Sequence, residues 1–407
     1  MFNRFGRKTA RTVMAGVAAV TIAGSLASCS SSKSTTSSSP TTASSGSTSA
    51  TTASSGSSSG GASAEVAAAQ KIVAAAEAMP TKIPLTTPLT SAPPKGKTFV
   101  FLQCEVSQCT DIASGVKAAT QAIGWNLKTI PFQSANPATL ISALQQALQY
   151  NPVAVAFSGL PEAVWQSEIP AYQKAGAILI PAFMGPLTSP SPVVPYNIAA
   201  QAGTVESAKQ IAAWITADSN GTGKVLLVGV PSFPLLAVYG TAFHSALPQY
   251  CSGCSITDIN ATIPEVDAGQ INSLIVSALQ KDPSIKYVSV VDGAFVDGLP
   301  SALAAAGLTG KVKITGIGAD VANETNILSG GDEKAFTALA TVYSGWLMVD
   351  AALRHVEGMP ATDVEDGGLP SQLLTQQSMK ANNLQPANSY NYPTDYPQQF
   401  KALWKVG

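Results

Sequence analysis

Short apolar runs alternate with amphipathic segments through most of this chain. Residues 98–103 are rich in Phe, Val and Leu, which predicts a buried strand. A polar loop bracketed by Cys104 and Cys109 follows, and apolar residues from Ile112 to Ile123 then recur at helical spacing. A strand that leads through a loop into a helix is the first unit of a parallel sheet, in which ligands bind at the carboxyl ends of the strands. We therefore expect this loop to contact a ligand.

The same alternation continues through two similar halves of the chain, which predicts an α/β protein with two doubly wound lobes, each a parallel sheet whose strands are connected by right-handed crossovers. The later predicted strands are residues 127–130, 153–158, 177–183, 224–230, 255–259, 287–291 and 312–317, with a further β-like run at 335–341. The predicted helices are residues 136–150, 161–176, 200–217, 237–247, 268–280, 297–306 and 346–356.

The N-terminus has the pattern of an export signal. Four basic residues precede an apolar core at residues 12–25, and residues 26–29, Leu-Ala-Ser-Cys, resemble the lipobox of bacterial lipoproteins. The resemblance implies that residues 1–28 are a signal peptide and that Cys29 carries the lipid that anchors the chain to the outer face of the cell membrane. The alternative is an ordinary secretory signal followed by an incidental cysteine.

A low-complexity segment follows the predicted lipid site. Residues 29–63 are almost wholly Ser, Thr, Ala, Gly and Pro, which predicts a disordered tether. Residues 64–96 comprise an Ala-rich helix and a Pro-rich lead-in, which we expect to run over the surface into the first lobe.

Four cysteines remain after Cys29. Their even number outside the cytoplasm and their close spacing favour the disulfides Cys104–Cys109 and Cys251–Cys254. The alternatives are a zinc site of four thiolates and a redox-active pair at 251–254.

Composition weighs against nucleic-acid binding and catalysis. Only 12% of the residues are charged, the formal net charge is −1, and no basic run is present. His244 and His355 are the only histidines, both fall inside predicted helices, and no Gly-x-Ser-x-Gly sequence occurs. We expect no catalytic residue, no metal ligand and no cofactor. An exported hydrolase that uses Glu105 and Asp292 as paired acids is the alternative.

Several short sequences occur in a fixed order along the chain: residues 115–119, Asn197, and residues 223–225, 240–243, 292–293, 315–318 and 345–352. Together they resemble the corresponding sequences of type I periplasmic-type substrate-binding proteins of ABC importers. The family includes ribose-binding and other sugar-binding proteins, and it shares its fold with the ligand domain of lactose-repressor-like regulators. The resemblance covers residues 97–404.

The resemblance implies a domain organisation and a mechanism. The N-terminal lobe is residues 97–197, to which 340–367 return; the C-terminal lobe is 198–339, and 368–407 form the third crossover and the tail. The lobes are expected to close by a hinge over a small sugar-like ligand in the cleft between them and, as a monomer, to deliver it to a membrane permease. A membrane-anchored ligand sensor of the same fold is the alternative.

The ligand contacts expected of a ribose-binding relative are not reproduced here. By position, Gln108 and Cys109 replace aromatic residues, Leu160 replaces a carboxylate, Ala237 an arginine, Asp292 an amide, and Gly318 a second carboxylate. Because charge-assisted hydrogen bonds to hydroxyls are lost, an ordinary pentose is disfavoured. Each aromatic candidate is equally compatible with core packing. The candidate ligand-binding residues are Glu105, Gln108, Ser158, Phe183, Ser232, Phe233, Tyr239, Asp292 and Asp320.

Overall fold

The computed structural model describes residues 58–188, 191–199, 201–359 and 368–407. The predicted signal peptide, Cys29 and most of the predicted tether lie outside these residues. None of the described helices combines the length and the apolar character needed to cross a bilayer.

The described chain forms ten strands and fourteen α-helices, with short 3-10 turns at Leu148–Tyr150, Gln166–Glu168 and Gly293–Val296. The strands are β1 (Thr98–Gln103), β2 (Asn126–Pro131), β3 (Ala154–Ser158), β4 (Ile178–Ala182), β5 (Lys224–Gly229), β6 (Ser255–Asn260), β7 (Tyr287–Val290), β8 (Lys313–Ala319), β9 (Glu333–Ala338) and β10 (Leu373–Thr375). The helices are α1 (Ser58–Ala76), α2 (Ser107–Ile123), α3 (Pro137–Ala147), α4 (Glu162–Trp165), α5 (Ile169–Ala175), α6 (Ala202–Asp218), α7 (Pro234–Tyr250), α8 (Ile263–Asp267), α9 (Ile271–Lys281), α10 (Leu299–Ala305), α11 (Val321–Ser329), α12 (Thr341–Val356), α13 (Gln376–Ala381) and α14 (Tyr396–Leu403).

The N-terminal lobe is built on a four-stranded parallel sheet in the order β2-β1-β3-β4. Alternate side chains of β1 enter different cores. Phe99 and Phe101 pack with α2, whereas Val100 and Leu102 pack with α3. The sheet is therefore covered on both faces, which explains why β1, β3 and β4 read as continuous apolar runs, whereas the edge strand β2 is mostly exposed.

The C-terminal lobe is built on a six-stranded sheet in the order β10-β9-β8-β7-β5-β6. Five strands are parallel, and β10 adds antiparallel to β9 at the edge. Helices α6 and α7 pack against each other and against this sheet. The two parallel-sheet lobes confirm the predicted fold class.

Helix α12 packs against α2 and β4, in the N-terminal lobe, although it follows the last parallel strand of the C-terminal lobe. It begins three residues after β9 ends. Residues 339–340 are thus a very short link between the two lobes, and they directly follow the carboxyl end of β9.

The two ends of the described chain also connect the lobes. Helix α1 packs on α6 and α7, and the lead-in then runs to β1; the tail passes from α13, beside α11, to α14, beside α12. Gln372 joins these segments: its carbonyl accepts from the Ala338 amide, its Nε2 donates to the Glu77 carbonyl at 2.7 Å, and its Oε1 accepts from the Tyr390 hydroxyl at 2.6 Å. The buried Gln372 side chain therefore fixes where several segments cross between the lobes.

Several elements differ from the sequence-based expectation. Helix α2 begins at Ser107, inside the segment that the sequence predicts to be a polar loop. Helix α1 starts at Ser58, within the last residues of the predicted tether. The elements that were not predicted are α8, α11, β10, α13 and α14. These elements are short or polar, and their positions depend on packing against distant parts of the chain.

Candidate functional site

A cavity of about 380 Å³ lies between the two lobes, at the carboxyl ends of their strands. This volume is within the range usual for small-molecule sites, roughly 300–1,000 Å³. The N-terminal lobe contributes Cys104, Val106, Gln108, Cys109, Ile112, Ser134, Ser158, Gly159, Leu160, Pro161, Phe183 and Met184. The C-terminal lobe contributes Phe233, Pro234, Leu235, Leu236, Val291, Asp292, Phe295, Ile317 and Gly318. The connecting segments and the start of α6 contribute Ala199, Gly203, Thr204, Ser207, residues 337–341 and residues 368–371.

A disulfide shapes the wall at the end of β1. It joins Cys104, just after the strand, to Cys109 in the first turn of α2, with their Cα atoms 5.6 Å apart. The Ser158 hydroxyl, at the end of β3, lies 3.5 Å from the Cys109 sulfur. The disulfide thus holds the first turn of α2, which carries Gln108, against the strand ends. The second pair, Cys251 and Cys254, is also disulfide-bonded and lies outside the cavity lining.

Phe183 lies directly after β4 with a φ of 54°. This left-handed conformation is sparsely populated for residues other than glycine, and such positions cluster at ligand sites. The Phe183 amide donates to the Ile198 carbonyl at 2.9 Å, so the segment that contains Ile198 holds Phe183 in place. Its half-buried ring lines the cavity.

In the C-terminal lobe, Asp292 follows β7 and begins the 3-10 turn that carries Phe295. Its Oδ1 accepts from the Ala294 amide at 3.0 Å, and no described residue donates to its Oδ2. Phe233 begins α7 after β5. A carboxylate oxygen and two phenyl rings are therefore available to a ligand on this side.

The two lobes touch beside the cavity. Gly185, just after β4, lies so near the start of α7 that a Cβ added to it would be 2.6 Å from the Cβ of Pro234. The end of β4 therefore faces the end of β5 across the cleft, and Phe183 and Met184 share this end of the cavity with residues 233–236.

Of the nine candidate ligand-binding residues, Gln108, Ser158, Phe183, Phe233 and Asp292 line the cavity. The other four lie outside its lining. Glu105 is exposed and accepts from the Ser134 amide at 3.0 Å, so it supports a lining residue from outside. Ser232 is exposed, and the buried Tyr239 hydroxyl is bonded to Ser289 within the core. Asp320 caps α11 by accepting from the Ala322 and Asn323 amides.

Sequence reasoning did not identify Phe295, Met184, or the lining residues of the short link, Leu339 and Thr341. Phe295 carried a usable signal, since it lies three residues beyond Asp292 at a strand end. Met184, Leu339 and Thr341 are ordinary apolar or hydroxyl residues in apolar surroundings. Met184 lines the cavity because it follows β4, whereas Leu339 and Thr341 reach it through the return of α12 to the first lobe.

Six carboxyl groups near the Asp292 turn influence one another electrostatically: Asp292, Asp297, Asp320, Glu324, Asp332 and Glu333. Burial raises the pKa of Asp292, Glu324 and Glu333 to about 7 each, and the nearby Asp320 charge raises each pKa further. Burial also raises the pKa of Asp297.

Glu333 is 2% exposed, and its Oε2 has no hydrogen-bond partner among the described residues. This part of the lobe therefore favours protonated carboxyl groups.

We expect the chain to lose stability as the pH rises from 5 to 8. A carboxyl group whose pKa is raised by folding keeps its proton in the folded state at pH values where the unfolded chain has lost it. Protonation of Asp292, Glu324 and Glu333 thus favours folding below about pH 7, and this contribution is lost as the pH passes through that value. Burial lowers the pKa of His355, which therefore acts in the opposite direction within this pH range. Urea unfolding at pH 5, 6, 7 and 8 measures the trend.

Glu333→Gln provides the matched comparison. The amide retains an oxygen for the Asn323 Nδ2 group, 3.3 Å from Glu333 Oε1, and removes one of the titrating groups. The variant should therefore show a flatter decline than the wild type between pH 5 and 8. Equal slopes in the two proteins would show that Glu333 is ionised in the folded state throughout this range.

Histidines and metal-binding clusters are absent from the described lining of the cavity. No group of three or more His, Cys, Asp and Glu residues is arranged to hold a metal ion among the described residues. His244 is an exposed partner of Asp258 at 2.8 Å, and neither His244 nor His355 lines the cavity. The cavity is therefore suited to binding a ligand, and its described lining contains no histidine.

Comparison with solved structures supports the same architecture. A 5-methylthioribose transporter solute-binding protein from Thermotoga lettingae, in complex with 5-methylthioribose, superposes with a TM-score of 0.61 at 17% identity, covering 79% of this chain and 99% of its own. The periplasmic binding protein of an arabinose ABC transporter from Shewanella sp. ANA-3, bound to L-arabinofuranose, gives 0.61 at 17% identity, covering 75% and 98%. A solute-binding protein from Burkholderia graminis, in complex with D-arabinose, gives 0.59 at 16% identity, covering 70% and 97%. At these identities the likeness establishes the fold.

Sequence comparison identifies the family directly. No curated protein gives a significant match to this chain. The family model described as periplasmic binding protein domain matches residues 106–360, which is more than half of the chain and includes most of both lobes. The predicted resemblance is thereby confirmed, and the chain belongs to the periplasmic binding protein family.

Proposed function

We propose that this protein captures a small sugar-like ligand in the cavity between its lobes and delivers it to the membrane permease of an ABC importer. The observation that carries the proposal is the cavity itself, which both lobes and the links between them enclose at the strand ends. Solved proteins of the same fold are ABC-transporter binding proteins, and several were crystallised with a bound sugar.

The links explain how binding would be coupled to lobe closure. Leu339, Ala340 and Thr341 line the cavity and also connect β9 to α12. A ligand that contacts both lobes and this link binds most favourably when the lobes are together, so it shifts the population toward the closed state. The closed form is the one that the permease would recognise.

Ligand binding should raise the melting temperature and reduce the radius of gyration. A ligand at 100 times its Kd stabilises the folded state by about 2.7 kcal/mol, which corresponds to a rise of roughly 5 °C for a body of this size. The measurement is a thermal-shift screen of sugars, polyols, nucleosides and aromatic compounds on the chain carrying Cys29→Ser. Small-angle scattering with and without the best ligand follows the screen.

Variants then test whether the ligand occupies this cavity. Phe233→Ala and Asp292→Ala should each weaken binding of that ligand at least tenfold, because each removes a lining group. Ser232→Ala is the matched control, since Ser232 adjoins Phe233 in the chain but is exposed and does not line the cavity. Unchanged affinity in both cavity variants would place the ligand elsewhere.

We also propose that the protein is exported and held at the outer face of the membrane by lipid on Cys29. The lipobox-like sequence at residues 26–29 and the Ser/Thr-rich segment that follows support this proposal. Labelling cells with an alkyne fatty acid should mark the wild type and not a Cys29→Ala variant. Equal labelling of both proteins would contradict the assignment.

A further inference from the structure

We propose that the ligand is a sugar-like compound that carries an apolar substituent, such as an aryl or alkyl group, and that the β4–β5 end of the cavity binds this substituent. This inference rests on the proposed function and specifies its substrate class. It follows from how apolar and polar groups are distributed around the cavity.

The apolar end is defined by the strand ends that face each other across the cleft. The N-terminal lobe provides Leu160 and Pro161 after β3, with Phe183 and Met184 after β4. Because Gly185 abuts Pro234, these residues face the start of α7, where Phe233, Leu235 and Leu236 also line the cavity. Two phenyl rings and several aliphatic side chains meet here.

The Gln108 amide and the Asp292 carboxyl group are placed on other strand ends, and the Ser158 hydroxyl, at the end of β3, lies 3.5 Å from the Cys109 sulfur. In the N-terminal lobe, Gln108 and Ser134 lie near the ends of β1 and β2. In the strand order β2-β1-β3-β4, these two strands are at the edge of the sheet opposite to β4. In the C-terminal lobe, Asp292 follows β7, the neighbour of β5. The ends of β1 and β7 therefore offer an amide and a carboxylate, whereas the ends of β4 and β5 offer hydrocarbon.

A free sugar does not match this division, because it has hydroxyl groups around its whole ring. No lysine, arginine or histidine lines the cavity among the described residues, and Asp292 is the lining carboxylate there. A hydroxyl group buried against Leu160, Phe183 or Leu236 would lose its bonds to water without replacement, which costs roughly tenfold in affinity or more.

A sugar ring with an apolar substituent does match the division of the cavity into a polar and an apolar end. Each methylene group transferred from water into a cavity of this kind increases affinity by about fourfold. The cavity volume of about 380 Å³ equals that of roughly a dozen water molecules at ~30 Å³ each, which accommodates a sugar ring together with a small substituent. A sugar ring near Asp292 and Gln108 would place its substituent between Phe183 and Phe233.

The test uses matched pairs of compounds in titration calorimetry with the chain carrying Cys29→Ser. The pairs are arabinose and phenyl arabinoside, galactose and phenyl galactoside, and ribose and 5-methylthioribose. We expect the substituted member of at least one pair to bind at least tenfold more tightly than its free sugar. If no substituted member binds at least tenfold more tightly than its free sugar, this inference is overturned, and a free sugar that binds leaves the proposed function standing. If only compounds without a sugar ring bind, such as phenol, both fail.

Variants separate the two ends of the cavity. Phe183→Ala and Leu236→Ala should each weaken binding of the substituted compound more than tenfold, while binding of the free sugar changes less than threefold. Two variants are used because Phe183 has a strained backbone, and circular dichroism verifies that each is folded. Equal losses for the free and substituted members of a pair in both folded variants would overturn the assignment of this end to the substituent.

Discussion

Replacing Asp350 with alanine is expected to lower the free energy of unfolding by about 3–5 kcal/mol, the usual cost of removing one partner of a buried ion pair. Asp350 is 0% exposed and its partner Arg354 is 1% exposed. Asp350 Oδ2 accepts from Arg354 Nε at 2.6 Å, and Oδ1 accepts from Trp404 Nε1 at 2.7 Å. The substitution therefore leaves a guanidinium charge and an indole N–H group buried without their acceptor. Urea unfolding measures the loss.

Glu206→Ala is the matched control for this substitution. Glu206 pairs with Lys209 on α6 at 3.6 Å, and the two side chains are about half exposed. Exposed pairs of this kind contribute roughly 0–1 kcal/mol because water screens them. A loss at Asp350 no larger than the loss at Glu206 would show that the Asp350–Arg354 pair adds little to stability.

The Asp350–Arg354 pair links segments that are distant in the chain. Arg354 Nη2 donates to the Thr87 carbonyl in the lead-in at 2.9 Å, and Trp404, which bonds Asp350, stacks on Trp346 with ring centroids 5.3 Å apart. The pair thereby fastens the lead-in and the tail to α12. Helix α12 begins at Thr341, which lines the cavity. We therefore expect a substitution that loosens α12 to weaken ligand binding as well.

This pair also shows what the sequence alone could not reveal. Asp350 and Arg354 stand four residues apart in a helix, and from the sequence alone this spacing predicts an exposed surface pair. That interpretation is wrong, because α2 covers one side of α12 while α14 and the lead-in cover others. A charged pair at helical spacing looks the same in sequence whether its helix has one buried face or several.

The alternation of strands and helices was predictable because it is a local property. Buried parallel strands such as β1, β3 and β5 appear as short apolar runs, and Gly124 ends α2 in the left-handed conformation that glycine favours. The strand ends in turn located cavity residues such as Phe233 and Asp292. Which apolar residues face the cavity was not predictable, because Met184 and Leu339 have the same local pattern as core residues.

Replacing Gly345 with alanine should also destabilise the fold strongly, by about 3 kcal/mol or more, because it inserts an atom where two helix backbones touch. A Cβ at Gly345 would overlap the Ile112 carbonyl oxygen and lie 2.5 Å from the Val116 amide nitrogen. On the facing helix, a Cβ at Gly115 would overlap the Val342 carbonyl oxygen. Backbone atoms cannot rotate away as a side chain can, so α12 would have to move from α2, and overpacking of this kind typically costs 1–3 kcal/mol or more.

Gly240→Ala tests the same chemical change where space is available. Gly240 lies inside α7, and an added Cβ there meets no atom within 4 Å. Alanine is favoured over glycine within helices by roughly 0.5–1 kcal/mol, so this variant should be more stable than the wild type. Urea unfolding of the two variants should therefore give changes of opposite sign. If Gly345→Ala were also stabilising, α2 and α12 would have to lie further apart in solution than in this structure. Because α12 directly follows the link at residues 339–340, that link would then hold the cavity wall less tightly.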